Sequence, residues 1–499
     1  MSNLPAFDEV HVISDIHMGG KSGFQILRET GRLGNFIDWV AKQRPDGRVA
    51  LVLNGDVFDT LAEDIRGYVA VDEAAATVQR IMDDPSFAPI WLALARFLQT
   101  EGRTLVIVIG NHDIEVAFPP VQRLIQSRLA ADSLPARARI EFSTAGAGYA
   151  CTVGDSRIYC IHGNEVDAWN YNRYEDLAKV ARRLNAGQSL AQSDWTPNAG
   201  TKMVKEVMNE VKRKYAWIDL LKPETSAAVG ALIVLDPTQA RKITELVGIV
   251  GRLAQSGGQV DQRLSAEGFH RPGATPAPAA AVDQLLGPNL RQGVRLGAAS
   301  AAAQDADDML RAAEEELRNP GARASGPEET LGTPQLVWDR LTGWITGVGK
   351  DEALRRALKD WLADDKTFRI EDRDDTFKQV SASVGSAIDF IVTGHTHLER
   401  AIEMGGGRYY FNCGTWIRLL QITDEMLKDT ASFQSVYEVL MNGRMETIDN
   451  ATFGGVPFVL DRTSAVAIKS DGGKVIGQLT HVVGDGKGMP RVEKQFTRP

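Results

Sequence analysis

Cysteine is scarce in this sequence: Cys151, Cys160 and Cys413 are the only three in 499 residues, and no two form a CxxC pair. An odd count without paired spacing argues against a disulfide framework and fits free thiols in a reducing compartment. Long apolar runs are also lacking. The longest, residues 227–235, falls far short of the roughly 20 residues of a membrane span, so no transmembrane segment is expected. There is no basic excess: 56 Lys and Arg stand against 65 Asp and Glu, a net charge of −9. That balance disfavours tight non-specific nucleic-acid binding without excluding a local basic groove. The first nine residues have neither a basic nor an apolar signal region, so a cytoplasmic location is expected. The rest is ordinary: 43% hydrophobic and 24% charged residues suffice for a large core, in a chain with length for about three domains.

Histidine is also infrequent, but it is concentrated. Of eight histidines, five (His17, His112, His162, His395 and His397) follow short apolar runs. The clearest run is Arg48–Leu53, which reads as a strand buried on both faces and stops on Asn54-Gly55-Asp56. Alone, that tripeptide is also just a turn. The pattern recurs four times: Glu9–Ser14 leads to Asp15-x-His17, Thr104–Ile109 to Gly110-Asn111-His112-Asp113, Arg157–Ile161 to His162-Gly163, and Phe390–Thr393 to Gly394-His395-x-His397. Ligands of open α/β sheets gather outside the carboxyl ends of the strands. Several Asp, Asn and His side chains at one such edge are costly to bury without partners, and a metal site accounts for them economically.

The chain otherwise alternates strand and helix over residues 8–163. Helices are expected from the mid-20s to the low 40s, around 62–82, over 87–98, and after Pro119-Pro120, with a hairpin at Gly154-Asp155. Residues 166–387 read as a helical insertion or cap. Within it, Val204, Val207, Met208, Val211, Tyr215 and Ile218 form a helical stripe, and Lys202, Lys205, Lys212, Arg213 and Lys214 read as its solvated face. A helix is expected to start at Asp236-Pro237. The Pro/Ala-rich stretch at about 256–333 reads as a linker carrying one acidic helix over 301–318. Leu354, Leu358, Trp361 and Leu362 share a helical face. The sheet resumes at Ile388 and ends in a hairpin about Ser470–Gly473. With no internal repeat, residues 1–165 and 388–499 read as two parts of one catalytic domain.

Asp15, His17, Asp56, Asn111, His162, His395 and His397 form a mixed oxygen and nitrogen donor set that suits Mn²⁺ foremost, or Fe, Zn, Co or Ni. Seven donors exceed one ordinary site; two ions sharing Asp56 would use them all. His112 is not needed as a ligand and is free to act as a general acid. Asp59 is placed to orient His112, and reads equally as a helix N-cap.

These five motifs, in this order, resemble the calcineurin-like metallophosphoesterase superfamily. The resemblance covers about 1–165 and 388–420 and implies a four-layer αββα sandwich with a dinuclear centre. It implies that one metal takes Asp15, His17, Asp56 and His397, and the other Asp56, Asn111, His162 and His395. A metal-bridging hydroxide would attack phosphorus, with His112 assisting the leaving group. Ser14–Gly19, Gly55–Asp59 and Phe411–Trp416 resemble the bacterial branch that includes the UDP-2,3-diacylglucosamine pyrophosphate hydrolases. Those hydrolases typically carry Arg at the place of His112 and a shorter cap, so their substrate is not assigned here. The expected function is hydrolysis of a phosphomonoester or phosphodiester. Two alternatives stand beside it: a nuclease tracking nucleic acid through the basic helix, and a non-catalytic interaction protein. The insertion could also recruit a partner protein.

Overall fold

The structure is a computed structural model that describes residues 4–65, 67–69, 71–167, 170–190, 195, 197–222, 231, 234–236, 348–361, 368–460, 462–483 and 488–498. The 256–333 stretch with its acidic helix, and the helix expected from Asp236-Pro237, lie outside the described residues. The chain divides into two compact units. One comprises Met1–Lys205, Lys366–Leu419 and Asp461–Pro499; the other comprises Glu206–Asp365 and Leu420–Leu460.

The first unit is the expected α/β sandwich. Its strands are β1 (Ala6–Phe7), β2 (Glu9–Ile13), β3 (Val49–Asn54), β4 (Arg103–Val108), β5 (Ile140–Ser143), β6 (Tyr149–Val153), β7 (Ser156–Cys160), β8 (Phe390–Thr393), β9 (Glu399–Gly405), β10 (Arg408–Cys413), β11 (Ser464–Asp471), β12 (Lys474–His481) and β13 (Arg491–Arg498). One sheet runs β13-β12-β11-β2-β3-β4-β5, the other β1-β6-β7-β8-β10-β9. Strands β2 to β5 are parallel in the first sheet, and β7, β8 and β10 in the second. Their carboxyl ends therefore carry the histidine loops.

Strands β2, β3 and β4 are buried along their whole length. Val10, Val12, Ala50, Val52, Val106 and Val108 pack against Cys160, Phe390 and Phe411 of the other sheet. The alternate residues Leu51, Leu53, Leu105 and Ile107 pack against the helices Thr30–Ala41, Ala88–Gln99 and Pro119–Ala130. Two covered faces explain why these strands read as unbroken apolar runs. Helix Asp375–Ser383 borders the second sheet, where Phe377 meets Tyr410 edge-on with ring centroids 5.0 Å apart.

The helix expected over 62–82 begins only at Ala74; in the segment before it Gly67 takes a left-handed φ of 68°, which a helix does not accommodate. Strand β13 gave no apolar signal; it is a sheet edge, largely exposed and rich in charge, as unpaired edges usually are.

The second unit is mainly helical where described, with a short hairpin of Thr452–Phe453 and Val456–Pro457. Helix Thr430–Asn442 starts on Asp429, whose carboxylate accepts from Ser432 N–H at 2.8 Å, and ends on Gly443 at φ 70°. The Trp217 indole, fully buried, donates to the Leu440 carbonyl at 2.7 Å. Helix Lys350–Trp361 buries Leu354 and Leu358 of the expected stripe. Among the described residues, no helix is long and apolar enough to cross a membrane.

Candidate metal centre

Five loops leave the carboxyl ends of β2, β3, β4, β7 and β8 and converge. Their backbone is unusual. Seven non-glycine residues among those described have positive φ, and five of them are Asp15 (52°), His17 (51°), Asp56 (52°), His395 (70°) and His397 (59°). Left-handed backbone is costly for such residues and persists where surrounding structure over-determines it, typically at functional sites. The determinants are visible. His395 N–H donates to Asp15 Oδ2 at 3.0 Å, and His112 N–H to Asp56 Oδ1 at 2.8 Å. Thr415 hydroxyl donates to the Asp15 carbonyl at 2.8 Å. The loops also need glycine for close approach: a Cβ at Gly110 would run into the Asp56 carboxylate, and one at Gly55 into the His162 ring.

The side chains aim inward. His397 Nε2 lies 3.2 Å from Asp15 Oδ1 and 3.1 Å from His17 Nε2; His162 Nε2 lies 3.2 Å from Asp56 Oδ2. Three groups have nitrogen or carboxylate oxygen atoms all within 4.8 Å of one another: Asp15 with His17 and His397, Asp56 with His162 and His395, and His17 with Asp59 and His112. Asn111 joins them with a buried amide oxygen that has no hydrogen-bond partner. His112 stands to one side, its Nδ1 3.1 Å from Asp59 Oδ1, and its ring edge-on to His17. Asp59 also precedes the short helix Thr60–Ala62, but its side chain makes no capping bond there. It faces the two histidines instead, 4.0 Å from His17 Nδ1.

The electrostatics fit a cation. Burial works against ionising Asp15, yet the neighbouring imidazoles, His397 first, bring its carboxyl down to about 2. Asp56 behaves likewise, held well below the usual carboxylate range by His162 and His112 against the effect of burial. Burial and the nearby His112 push His17 down to about 3. Burial opposes charge on His162 too, but the Asp56 carboxylate outweighs it and pushes the imidazole up to about 10. The His162 tautomer is legible: Nδ1 bonds the Asn54 carbonyl at 2.7 Å and must carry the hydrogen. Nε2 then points its lone pair at a carboxylate, an arrangement that only a proton or a cation stabilises. An imidazole whose outer N–H is held by a backbone carbonyl is the usual form of a metal ligand. The donor set of carboxylate, imidazole and amide oxygens, without thiolate, fits a divalent transition ion.

Residues 9–215 match the model of the calcineurin-like phosphoesterase family. No curated protein and no solved structure matches the chain. The calcineurin-like phosphoesterase match covers Asp15, His17, Asp56, Asn111, His112 and His162; His395 and His397 come from beyond it and reach the same place through β8. The family acts on phosphate esters with bound metal, and the clustered side chains are of the type that could hold it.

Sequence reasoning passed over several residues that shape the centre. Asp113 accepts from both Val57 N–H and Gly110 N–H at 2.7 Å and so ties two ligand loops together. Asp167 lies 2.8 Å from His395 Nε2. Asn172 and Asn412 donate to the carbonyls of Gly110 and Gly394. Asp113 and Asn412 lie within the motifs Gly110–Asp113 and Phe411–Trp416; Asp167 and Asn172 carry no local signal. One expectation is corrected. Lys202 and Lys205 are not on a solvated face: Lys202 is 4% exposed, and half-buried Lys205 donates to the Glu63 carbonyl at 2.9 Å. The helix widens into a π-turn over Val204–Met208, which shifts the register of the residues after it. Lys212 is committed as well, 2.5 Å from Asp219.

Proposed function

We propose that this chain is a metal-dependent hydrolase of phosphate esters whose centre holds two divalent ions. The observation that carries the reading is a pair of donor groups with Asp56 between them, 3.7 Å from His17 Nε2 and 3.2 Å from His162 Nε2, and bare acceptor atoms on His162 and Asn111 beside it. Asp15, His17, Asp56 and His397 would hold one ion; Asp56, Asn111, His162 and His395 the other. Such ions supply Lewis-acid activation of water and neutralise charge on phosphoryl oxygens.

The chain's own groups do the rest. The His112–Asp59 bond orients the ring through Nδ1, and Nε2 would donate a proton to the departing oxygen. Asp167 holds the His395 ring from outside, and Asp113 keeps the Asp56 and Asn111 loops in register. Asp15 and Asp56 stay ionised at neutral pH and are ready to accept metal. Mn²⁺ is the proposed ion on the hardness of the donor set. The motifs Ser14–Gly19 and Phe411–Trp416 support kinship with the branch of the UDP-2,3-diacylglucosamine pyrophosphate hydrolases, from which His112 and the long insertion set this chain apart. The nuclease reading draws no support from Lys205 and Lys212, whose ammonium groups are engaged within the protein.

The test is hydrolysis of bis-p-nitrophenyl phosphate and p-nitrophenyl phosphate by metal-stripped protein, with and without added Mn²⁺. Metal-dependent release of p-nitrophenolate that disappears in Asp56→Asn supports the reading. Metal binding without cleavage of either ester would overturn it.

A further inference from the structure

A cavity of about 580 Å³ is lined by Phe368, Arg369, Asp372, Glu399, Arg462 and His481 among others. It is of the size that binds small organic groups. A narrow hollow bounded by His397, Leu398 and Gly414 shares Phe368, Glu399 and Arg462 with it, so the cavity adjoins the surroundings of a candidate metal ligand. Its wall is fixed to β9, the strand that follows the His397 loop. The Ala401 N–H of β9 donates to the Ile370 carbonyl at 2.8 Å, and Asp372 N–H closes a turn on the Arg369 carbonyl at 3.0 Å.

The charges of the cavity are mostly spent on one another. Buried Glu399 receives His481 Nε2 at 2.5 Å on one oxygen and faces the Arg462 guanidinium at 3.4 Å with the other. Arg462 also lies over the Phe368 ring, 5.7 Å from its centroid. Glu371 pairs with Lys494 at 3.2 Å, and Glu493 lies 3.6 Å from His481 Nδ1. Two lining side chains make no hydrogen bond or ion pair with any described residue: the Arg369 guanidinium and the Asp372 carboxylate. The first offers only donors, the second only acceptors.

We propose that this cavity binds an uncharged, hydroxyl-bearing alcohol group of the phosphate-ester substrate. The inference rests on the phosphoesterase reading above and names the part of the substrate that the reading leaves open. Hydroxyl groups donate and accept, and so satisfy Arg369 and Asp372 together. A second phosphate does not fit, because Glu371, Asp372, Glu399 and Glu493 outnumber Arg369 and Arg462, and like charges brought together cost affinity. A plain hydrocarbon does not fit either, because it would strip water from both free groups and return nothing.

The experiment compares esters that differ only in this group: glycerol 3-phosphate against propyl phosphate, and glycerol p-nitrophenyl phosphate against propyl p-nitrophenyl phosphate, using whichever ester type the Mn²⁺-loaded enzyme cleaves. The choline p-nitrophenyl diester tests for a cation. The expected kcat/KM ratio of glycerol to propyl ester is about tenfold or more, falling towards one in Arg369→Ala and in Asp372→Ala. The ratio is taken within one preparation, so partial misfolding of a variant cancels. A wild-type ratio near one, a ratio that survives both substitutions, or preference for the choline ester overturns the inference while leaving the phosphoesterase reading intact. Cleavage of none of the esters overturns the phosphoesterase reading, and this inference with it.

Discussion

Strand β2 carries a buried histidine cluster near each end, and the two are built on opposite terms. At its start, His11 Nε2 meets Glu9 Oε1 at 2.8 Å, and Arg44 meets the other Glu9 oxygen at 3.0 Å while donating to the Ser470 carbonyl. Nearby, buried Arg103 spreads its guanidinium over the carbonyls of Ala41, Gln43 and Gly47. Those charged groups are matched to partners. Burial would raise the Glu9 carboxyl, yet His11 and Arg44 keep it below its ordinary value. Beyond the other end of β2, Asp15 and His17 enter a cluster on left-handed backbone whose members present bare acceptors to one another. Burial of polar groups is therefore no mark of function by itself. Convergent acceptors without donors between them are, because only a cation or a proton makes such a cluster stable.

The contrast predicts different failures. The largest effect belongs to Asp56→Asn, which loses the shared carboxylate; metal content and hydrolysis should fall together, with kcat down about 10³-fold or more. Glu9→Gln should leave hydrolysis in place. If it abolished activity as fully as Asp56→Asn, the two ends would not differ as described.

Next in size, His112→Ala should retain bound metal and lose about 10²-fold in kcat, most severely on esters with poor leaving groups. Full activity on an alkyl ester would remove His112 from its assigned role. At the paired end, Glu9→Gln should cost about 2 kcal/mol of stability in urea unfolding, because it weakens charge-assisted bonds to His11 and Arg44. A variant with unchanged stability would show that this cluster contributes nothing.

The smallest effect sharpens the comparison through pH. Buried Glu115 lies 2.7 Å from the Thr60 hydroxyl, which also faces the His112 carbonyl at 2.7 Å. Burial raises this carboxyl from 4.5 to about 6, against the hydrogen bond from the Thr60 hydroxyl, which favours the ionised form. The folded state therefore binds a proton that the unfolded chain releases between those values. Its contribution is full below about pH 4.5 and is lost as pH rises through about 6, a change of about 2 kcal/mol. Glu115→Gln cannot ionise, so it should exceed the wild type in stability above pH 6 and lose that advantage towards pH 4.5. A difference independent of pH would contradict the proton count.

The strands and their loops were legible in the sequence because their signals are local. An apolar run such as Thr104–Val108, covered on both faces, stands out within a few residues, and Gly110-Asn111-His112-Asp113 follows it directly. The donor chemistry of the centre, and hence the class of reaction to expect, was written in those short motifs. Tertiary structure alone decided what depends on distant pairing. It brought His397 within 3.1 Å of His17 across 380 residues and forced five ligand candidates into left-handed backbone. It also turned Asp167 onto His395 and buried lysines that spacing had placed in water. The cavity of Arg369, Asp372, Glu399, Arg462 and His481 had no local signature at all. Each of these is an ordinary polar residue until β9, β11 and β12 fold them together, and sequence spacing cannot report a meeting that only sheet register creates.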